Sequence, residues 1–474
     1  MTAVATLPGT PRRAAAPPRP ARAWPVLAVL SGAQLMLVLD ATVVNIALPR
    51  AQVALGFSDA DRQWIVTAYS LAFGALLLLG GRLADLFGRR RLFLVGLVGF
   101  ATASAIGGLA GSLATLAAAR ALQGGFGAML APAALSLLTV TFTEPAARAR
   151  AFGCFGAVSS AGGSVGLVLG GMLTEYVGWR WVMYVNVVIA AVVVLAAWPL
   201  LPADRRDRRR SLDLRGALLA VTGERRAPQP LLPLRIVRDR DRGGAIAAMF
   251  LSAPGVFGIL LFLTYYLERI QRYSPVETGL AFLPMTVTMI VVGSAGTVAV
   301  AARLGPRRLV PIGLLIAGVG TAMLARLGVE SQYAATVLPA TLVTGLGLGL
   351  VFAPCFDLGT AGVDEADTGT ASATLHVAQQ FGGSIGTVLL NALATTVAAD
   401  YVSAGTMPRA TDHAVAHSYS VVFEAASLTF LAAAVVAGAL LTRRRARLPA
   451  VLRRDAAAPT HRRLTRSRSP SATY

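Results

Sequence analysis

Two oppositely charged residues stand inside apolar runs that offer them no solvent. Asp40 lies within the run 24 to 48, and Arg120 within the run 113 to 141. An isolated charge at the centre of a membrane helix costs about 2.5 to 3.5 kcal/mol on insertion scales, so such residues usually line an internal cavity and serve function. Asp40 precedes Pro49 by nine residues, and Arg120 follows the start of its run by about as many. At about 1.5 Å per residue the two reach matched depths, roughly 12 to 14 Å from one end. They can pair or alternate. The chemistry on offer is a switchable ion pair and, at the carboxyl, proton uptake, because a guest that draws Arg120 off Asp40 changes the carboxyl's affinity for a proton. A purely structural ion pair is the competing reading. Glu424, in the last apolar run, is the next candidate carrier.

A second group of residues has spacing that favours movement. Gly153, Gly162, Gly166, Gly170 and Gly171 form an array in which three glycines recur every four residues. That spacing gives a helix one smooth face on which another backbone can approach closely. The charged link Gly81 to Arg91 joins two apolar runs. Within it Gly81 and Gly88 allow a tight turn, and Asp85 can meet Arg89, Arg90 or a helix N-terminus in one conformation and release it in another. Aromatic residues Tyr69, Phe262 and Tyr265, with Asn45 and Gln123 as polar partners, are candidates to line a cavity for an apolar or cationic guest.

The elements that hold these residues are membrane helices. The composition is 55% hydrophobic and 14% charged, with mean hydropathy +0.63, which describes a polytopic membrane protein. At about 20 residues per span, helices are expected at 24 to 48, 62 to 80, 92 to 110, 113 to 141, 149 to 173, 180 to 200, 245 to 267, 278 to 301, 309 to 327, 333 to 356, 369 to 398 and 419 to 441. The chain is also duplicated. Phe87-Gly88-Arg89-Arg90-Arg91-Leu92 returns as Leu304-Gly305-Pro306-Arg307-Arg308-Leu309, 217 positions on. Gly125 to Pro132 returns as Gly347 to Pro354, and Gly162 to Leu169 as Gly382 to Leu389. The fold class is therefore all-α, with two six-helix bundles in a parallel repeat.

The expected domains are a disordered tail at 1 to 22, a bundle at 23 to 202, a linker at 203 to 243, a second bundle at 244 to 442 and a basic disordered tail at 443 to 474. Inside the linker, Leu212 to Thr222 is apolar for too few residues to span, and reads as an amphipathic helix lying on the membrane surface.

The net charge of +20 comes entirely from arginine, for the chain has no lysine. Thirty-five of the 43 arginines fall on the tails and one set of links, and seven on the opposite links. This asymmetry places both termini in the cytoplasm, with the C-terminal Arg443 to Arg447 near anionic lipid, and argues against a nucleic-acid partner. A phosphate-binding loop needs a lysine, so this polypeptide is not that kind of ATPase. Cys154 and Cys355 suggest no disulfide framework. His413 and His417 sit four apart in the expected link before the last span, without further ligands to complete a metal site. No cofactor or metal is expected, and no enzymatic activity.

Together these motifs resemble the major facilitator superfamily, in particular its multidrug:proton antiporter branch of nominally fourteen helices. Leu39 to Pro49 looks like that branch's first-helix signature, and Gly81 to Arg91 like the superfamily's cytoplasmic-turn motif. Arg120-Ala-Leu-Gln123-Gly124 resembles the fourth-helix motif, and Gly153 to Gly171 the antiporter motif. Two departures stand out. Leu167 occupies the place where the antiporter motif has proline, which puts a helix kink in doubt but not the packing seam. The linker also resembles the flanks of the branch's two extra helices, joined as though that pair were lost.

The resemblance implies alternating access in a bacterial inner membrane, with proton entry driving efflux of a small amphipathic compound, by a monomer embedded in the bilayer. A nutrient importer of the same fold, or a non-transporting membrane protein, either a sensor or a decayed relative, are the rival readings.

Overall fold

The computed structural model describes residues 20–201, 237–293, 303–363, 368–404 and 410–441. The expected surface helix at 212 to 222 and both tails beyond these limits lie outside the described residues. Within them the chain is helical throughout. The first half contains α1 (Pro20–Leu55), α2 (Gln63–Phe87), α3 (Arg89–Gly108), α4 (Leu113–Thr141), α5 (Pro145–Met172) and α6 (Trp181–Leu200). The second contains α7 (Arg240–Tyr265), α8 (Pro275–Val291, interrupted at Phe282), α9 (Pro306–Leu324), α10 (Leu338–Thr360), α11 (Thr368–Ala404) and α12 (Ala410–Leu441). Eleven of the described helices are long and apolar enough to cross a bilayer; the twelfth, α8, is described over a shorter stretch. Helices suit this solvent because every backbone group finds its partner within the segment.

Local chemistry sets many of the ends. Ser112 caps α4 by accepting from the Thr115 amide, Glu144 caps α5 at Ala147, and Ser274 with Glu277 forms a capping box at α8. Gly88 joins α2 to α3 at φ 98°, and Gly305 precedes α9 at φ 75°. A side chain is strained in that left-handed region, so the same turn residue recurs in both halves for the same reason.

Several expected boundaries move. α2 runs to Phe87 and not 80, so Gly81 and Asp85 lie inside a helix and Gly88 alone makes the turn, and α11 runs to Ala404 and not 398. α1 does not stop at Pro49 but runs on to Leu55. Proline there removes one hydrogen bond, yet Leu48 and Ala51 on either side are buried, and this packing carries the helix onward. α12 begins at Ala410, nine residues before the expected 419, so His413 and His417 lie on its first turns and not in a link.

The repeat is visible in the packing. A methyl group at Gly124 of α4 would lie 2.2 Å from the Tyr69 carbonyl oxygen of α2, and one at Gly345 of α10 would lie 2.3 Å from the Met285 carbonyl oxygen of α8. In the first half α1 packs on α5 and α6, α2 on α4, and α3 on α4 and α6. In the second, α7 packs on α11 and α12, and α9 on α10 and α12. The halves meet where α2 crosses α11 and where α5 crosses α8. The ends of α1 and α7 face each other, since Tyr265 donates its hydroxyl to Gln52 Oε1 at 2.6 Å. The two halves therefore run in the same direction, as a parallel repeat requires.

Candidate functional site

The two charges singled out by the sequence meet. Arg120 Nη1 donates to Asp40 Oδ2 at 2.6 Å, and both side chains are almost wholly buried. Three further polar residues complete the cluster. Gln123 Nε2 donates to Asp40 Oδ1 at 3.1 Å and to Ser104 Oγ at 3.0 Å; Asn186 Nδ2 donates to the same two atoms at 2.6 and 3.1 Å. Ser104 passes its own proton to the Met183 carbonyl at 2.8 Å. Arg120 also donates to Gln123 Oε1 and to the Ile65 carbonyl, and its guanidinium lies 4.3 Å from the centre of the Tyr69 ring. The cluster thus joins five helices: α4 and α6 bond the Asp40 carboxylate of α1, α3 supports their amides through Ser104, and α2 holds Arg120.

This arrangement satisfies an otherwise costly burial. The pair is neutral overall, and three N–H donors cover both carboxylate oxygens, which is the condition for a buried ion pair to persist. Asn186 Oδ1 is buried with no hydrogen-bond partner among the described residues, so the cluster retains one vacant acceptor.

A second polar cluster closes one end between the halves. Arg62, 1% exposed, projects from the turn between α1 and α2 into the second half. Its Nε donates to Asn391 Oδ1 at 2.9 Å, and its guanidinium carbon lies 4.1 Å from the Tyr265 ring centre and 5.2 Å from that of Phe262. Asp59 bonds Arg269 at 2.9 Å and approaches Arg62 at 3.6 Å. The Asn391 amide donates to the Asp59 carbonyl at 3.0 Å. Burial works to raise the Asp59 carboxyl, but Gln52's donor, Arg62 and Arg269 outweigh it and hold it below the ordinary value of 3.8.

The remaining expected residues fall into place as follows. Gly162, Gly166 and Gly170 lie against α1: a methyl group at Gly166 would come 2.0 Å from Thr42 Oγ1, and one at Gly170 3.0 Å from the Val43 Cα. Gly171 instead faces the other half, where a methyl would lie 2.4 Å from the Pro275 carbonyl oxygen. Leu167, at the proline position, is buried beneath Gly279 of α8. Gly153 lies on α5 and Asp85 on the last turns of α2, their surroundings outside the described residues. Gly81 has ordinary contact distance to Pro132, so it is not forced by space. Arg89 and Arg90 open α3, and Arg90 donates to the Trp198 carbonyl at 2.6 Å. Asn45 turns back to the Ala41 carbonyl at 2.9 Å. Of the five residues expected to line a cavity, Tyr69 and Gln123 belong to the Asp40 cluster, and Phe262 and Tyr265 close on Arg62. Glu424 is exposed on α12 in a stripe with Leu428, Leu431 and Val435, which is the pattern of a surface turned outward.

Sequence reading missed Ser104, Asn186, Arg62, Asn391 and Tyr419. Asn186 carried a signal, being the lone amide in a strongly apolar run, whereas Asn391 shares its helix with Gln379 and Gln380 and did not stand out. Arg62 was hidden because it looks like one more charge on a link. Among the described residues no group of three or more His, Cys, Asp or Glu side chains is placed to hold a metal. Cys154 and Cys355 are both free thiols.

A duplicated bundle of apolar helices around a buried ion pair has the architecture of a membrane transporter, and not of an enzyme. The comparisons agree: residues 30–387 match the Major Facilitator Superfamily, and the chain belongs to that family. It is 45% identical to the puromycin resistance protein pur8 of Streptomyces alboniger, over 90% of this chain and 93% of that one. It is 36% identical to the cephamycin export protein CmcT of Amycolatopsis lactamdurans (76% and 82% covered), and 32% identical to the multidrug efflux pump LfrA of Mycolicibacterium smegmatis (79% and 82%). In fold it resembles a bacterial homologue of the human lysosomal transporter Spinster, with a TM-score of 0.70 at 18% identity, covering 89% of this chain and 97% of that one.

Proposed function

We propose that this transporter exports a small amphipathic compound, a drug or a metabolite made by the cell, in exchange for protons, and that it does so as a monomer by alternating access. The observation that carries the reading is the Asp40 cluster: a fully buried carboxylate whose hydrogen bonds tie α1 to α4 and α6. The export direction rests on relatives named for resistance and export and on the glycine array that resembles the antiporter motif. The arginine distribution orients the Gly88 turn and both termini toward the cytoplasm, so the Arg62 cluster seals the outer end.

In this mechanism a proton on Asp40 removes its charge and releases Arg120, which keeps the Ile65 carbonyl, Gln123 and the Tyr69 face as partners. The released arginine repels a cationic guest and frees α1 to slide on the glycine seam of α5. Loss of the proton restores the pair. Each proton entering down the membrane potential contributes about 2.3 kcal/mol per 100 mV, so one or two suffice for a useful gradient.

The test is transport in proteoliposomes under an imposed pH gradient. Asp40→Asn is expected to lower stability but leave the protein folded, since the amide matches the carboxyl in size and Arg120 keeps the Ile65 carbonyl, Gln123 and the Tyr69 ring, while export no longer responds to the gradient. Proton-driven transport at the wild-type rate in that variant rules out Asp40 as the carrier. Accumulation in the opposite direction supports an importer, and no flux of any tested compound supports a non-transporting role.

A further inference from the structure

Arg62 comes from the first half, but nearly everything that encloses it belongs to the second. Its guanidinium carbon lies 4.1, 5.2 and 5.8 Å from the ring centres of Tyr265, Phe262 and Tyr419. Its Nε and Nη1 donate to Asn391 Oδ1 and to the Tyr419 hydroxyl at 2.9 and 3.4 Å. Phe262 and Tyr265 stand on α7, Asn391 on α11 and Tyr419 on α12. The Phe262 and Tyr419 rings also support each other, with centres 5.7 Å apart. Parting the halves at this end would carry Arg62 and Asp59 away together, breaking the bonds of Tyr265 to Gln52 and of Asn391 to Asp59, and would leave all four cage residues on the second half.

What stays behind has the chemistry of an organic-cation receptor: three aromatic faces, an amide oxygen and a phenol. Three residues beyond Tyr265 lies Glu268, whose Oε1 is buried without a hydrogen-bond partner among the described residues. Arg50, its charged neighbour, departs with the first half. Arg269 remains, half-exposed, after losing Asp59.

We propose that this cage is the release-side receptor for a cationic head group on the exported compound, and that Arg62 is its built-in competitor. The proposal rests on the export reading above and adds the substrate class. Guest and Arg62 cannot occupy the cage together. Closing the outer end therefore expels the cation and blocks its return.

The experiment is equilibrium binding of tetraphenylphosphonium to the purified full chain in nanodiscs, with triphenylphosphine oxide as an uncharged analogue. It needs no pH gradient, so failure of proton coupling leaves its outcome intact. Arg62→Gln empties the cage and is expected to raise tetraphenylphosphonium affinity at least about tenfold, with little change for the oxide. Adding Phe262→Leu and Tyr265→Leu abolishes that gain. Asp59→Asn keeps Arg62 but cuts the tie to Arg269, and gives a smaller change of the same sign, which serves if Arg62→Gln does not fold. Equal gains for both probes show a simple latch whose loss opens the mouth, and overturn the receptor. Unchanged phosphonium affinity in every folded variant overturns it as well.

Discussion

Asp40 and Arg120 show what a buried charge requires of its neighbours. Removing one partner strands the other, a loss of about 3 to 5 kcal/mol for buried pairs. Arg120→Ala is therefore expected to lower thermal stability sharply, and Asp40→Asn combined with Arg120→Ala to lower it by much less than the two single effects added. Additive losses in thermal unfolding of the purified variants would separate the two side chains energetically. The amide at position 186 allows a finer test, because it donates to the same oxygen that Gln123 reaches. Asn186→Leu removes one of the two donors to Asp40 Oδ1 and leaves Ser104 with one donor fewer, so proton-driven transport should fall while the protein stays folded. Unchanged transport in a stable Asn186→Leu protein would exclude Asn186 from positioning Asp40. The pair itself was legible in the sequence because a charge in an apolar run has few uses. Its amide and hydroxyl partners were not, since a single Ser or Asn in a membrane helix commonly bonds its own backbone, as Thr42 does with Val38 and Leu39.

At the scale of elements, hydropathy carried most of the fold, and tertiary packing decided the ends. The run at 113 to 141 is α4 to the residue, because a capping serine precedes it and a turn follows. α1 outran its expected end because burial of Ala51 offsets the proline, and this extension brings Gln52 to Tyr265. The glycine array was readable as a seam, but its partners were not, because spacing does not say which helix approaches. The structure divides it between α1, on Gly162, Gly166 and Gly170, and α8 of the other half, on Gly171. Gly166→Leu should push α5 off α1 and abolish export. Normal transport by a well-expressed Gly166→Leu protein would reduce the array to incidental composition. Gly171→Leu acts on the other contact, against the Pro275 backbone, and should hinder closure of the Arg62 end while leaving the first bundle folded. Trypsin resistance of that bundle, alongside lost transport, is the expected pair of results.

Across the whole molecule, the two halves have two points of exchange with distinct chemistry. The Asp40 cluster lies within one half and buries a carboxylate paired with Arg120. The Arg62 cluster lies between halves, and its carboxylate, Asp59, has its proton affinity depressed. A depressed carboxylate contributes its interaction fully above the ordinary value of 3.8 and loses it only as pH falls through the lower folded value. Between about pH 5 and 8 Asp59 itself should therefore not respond to protons, so any pH sensitivity of this end comes from another group, Asp40 in the first half or Glu268, His413 and His417 near the clasp. A single cysteine at Ser418, buried on α12 beside Tyr419, reports the opening if Cys154 and Cys355 are first replaced. Its labelling rate should change with pH in the otherwise intact chain and become flat in Asp40→Asn. Arg62→Gln should raise the rate at least about tenfold at every pH, given the strength of a desolvated cation held on aromatic faces. Labelling that still follows pH in Asp40→Asn would place the proton sensor outside the first-half cluster. Labelling that ignores Arg62→Gln would show that backbone contacts such as Gly171 against Pro275, and not the caged arginine, keep this end shut.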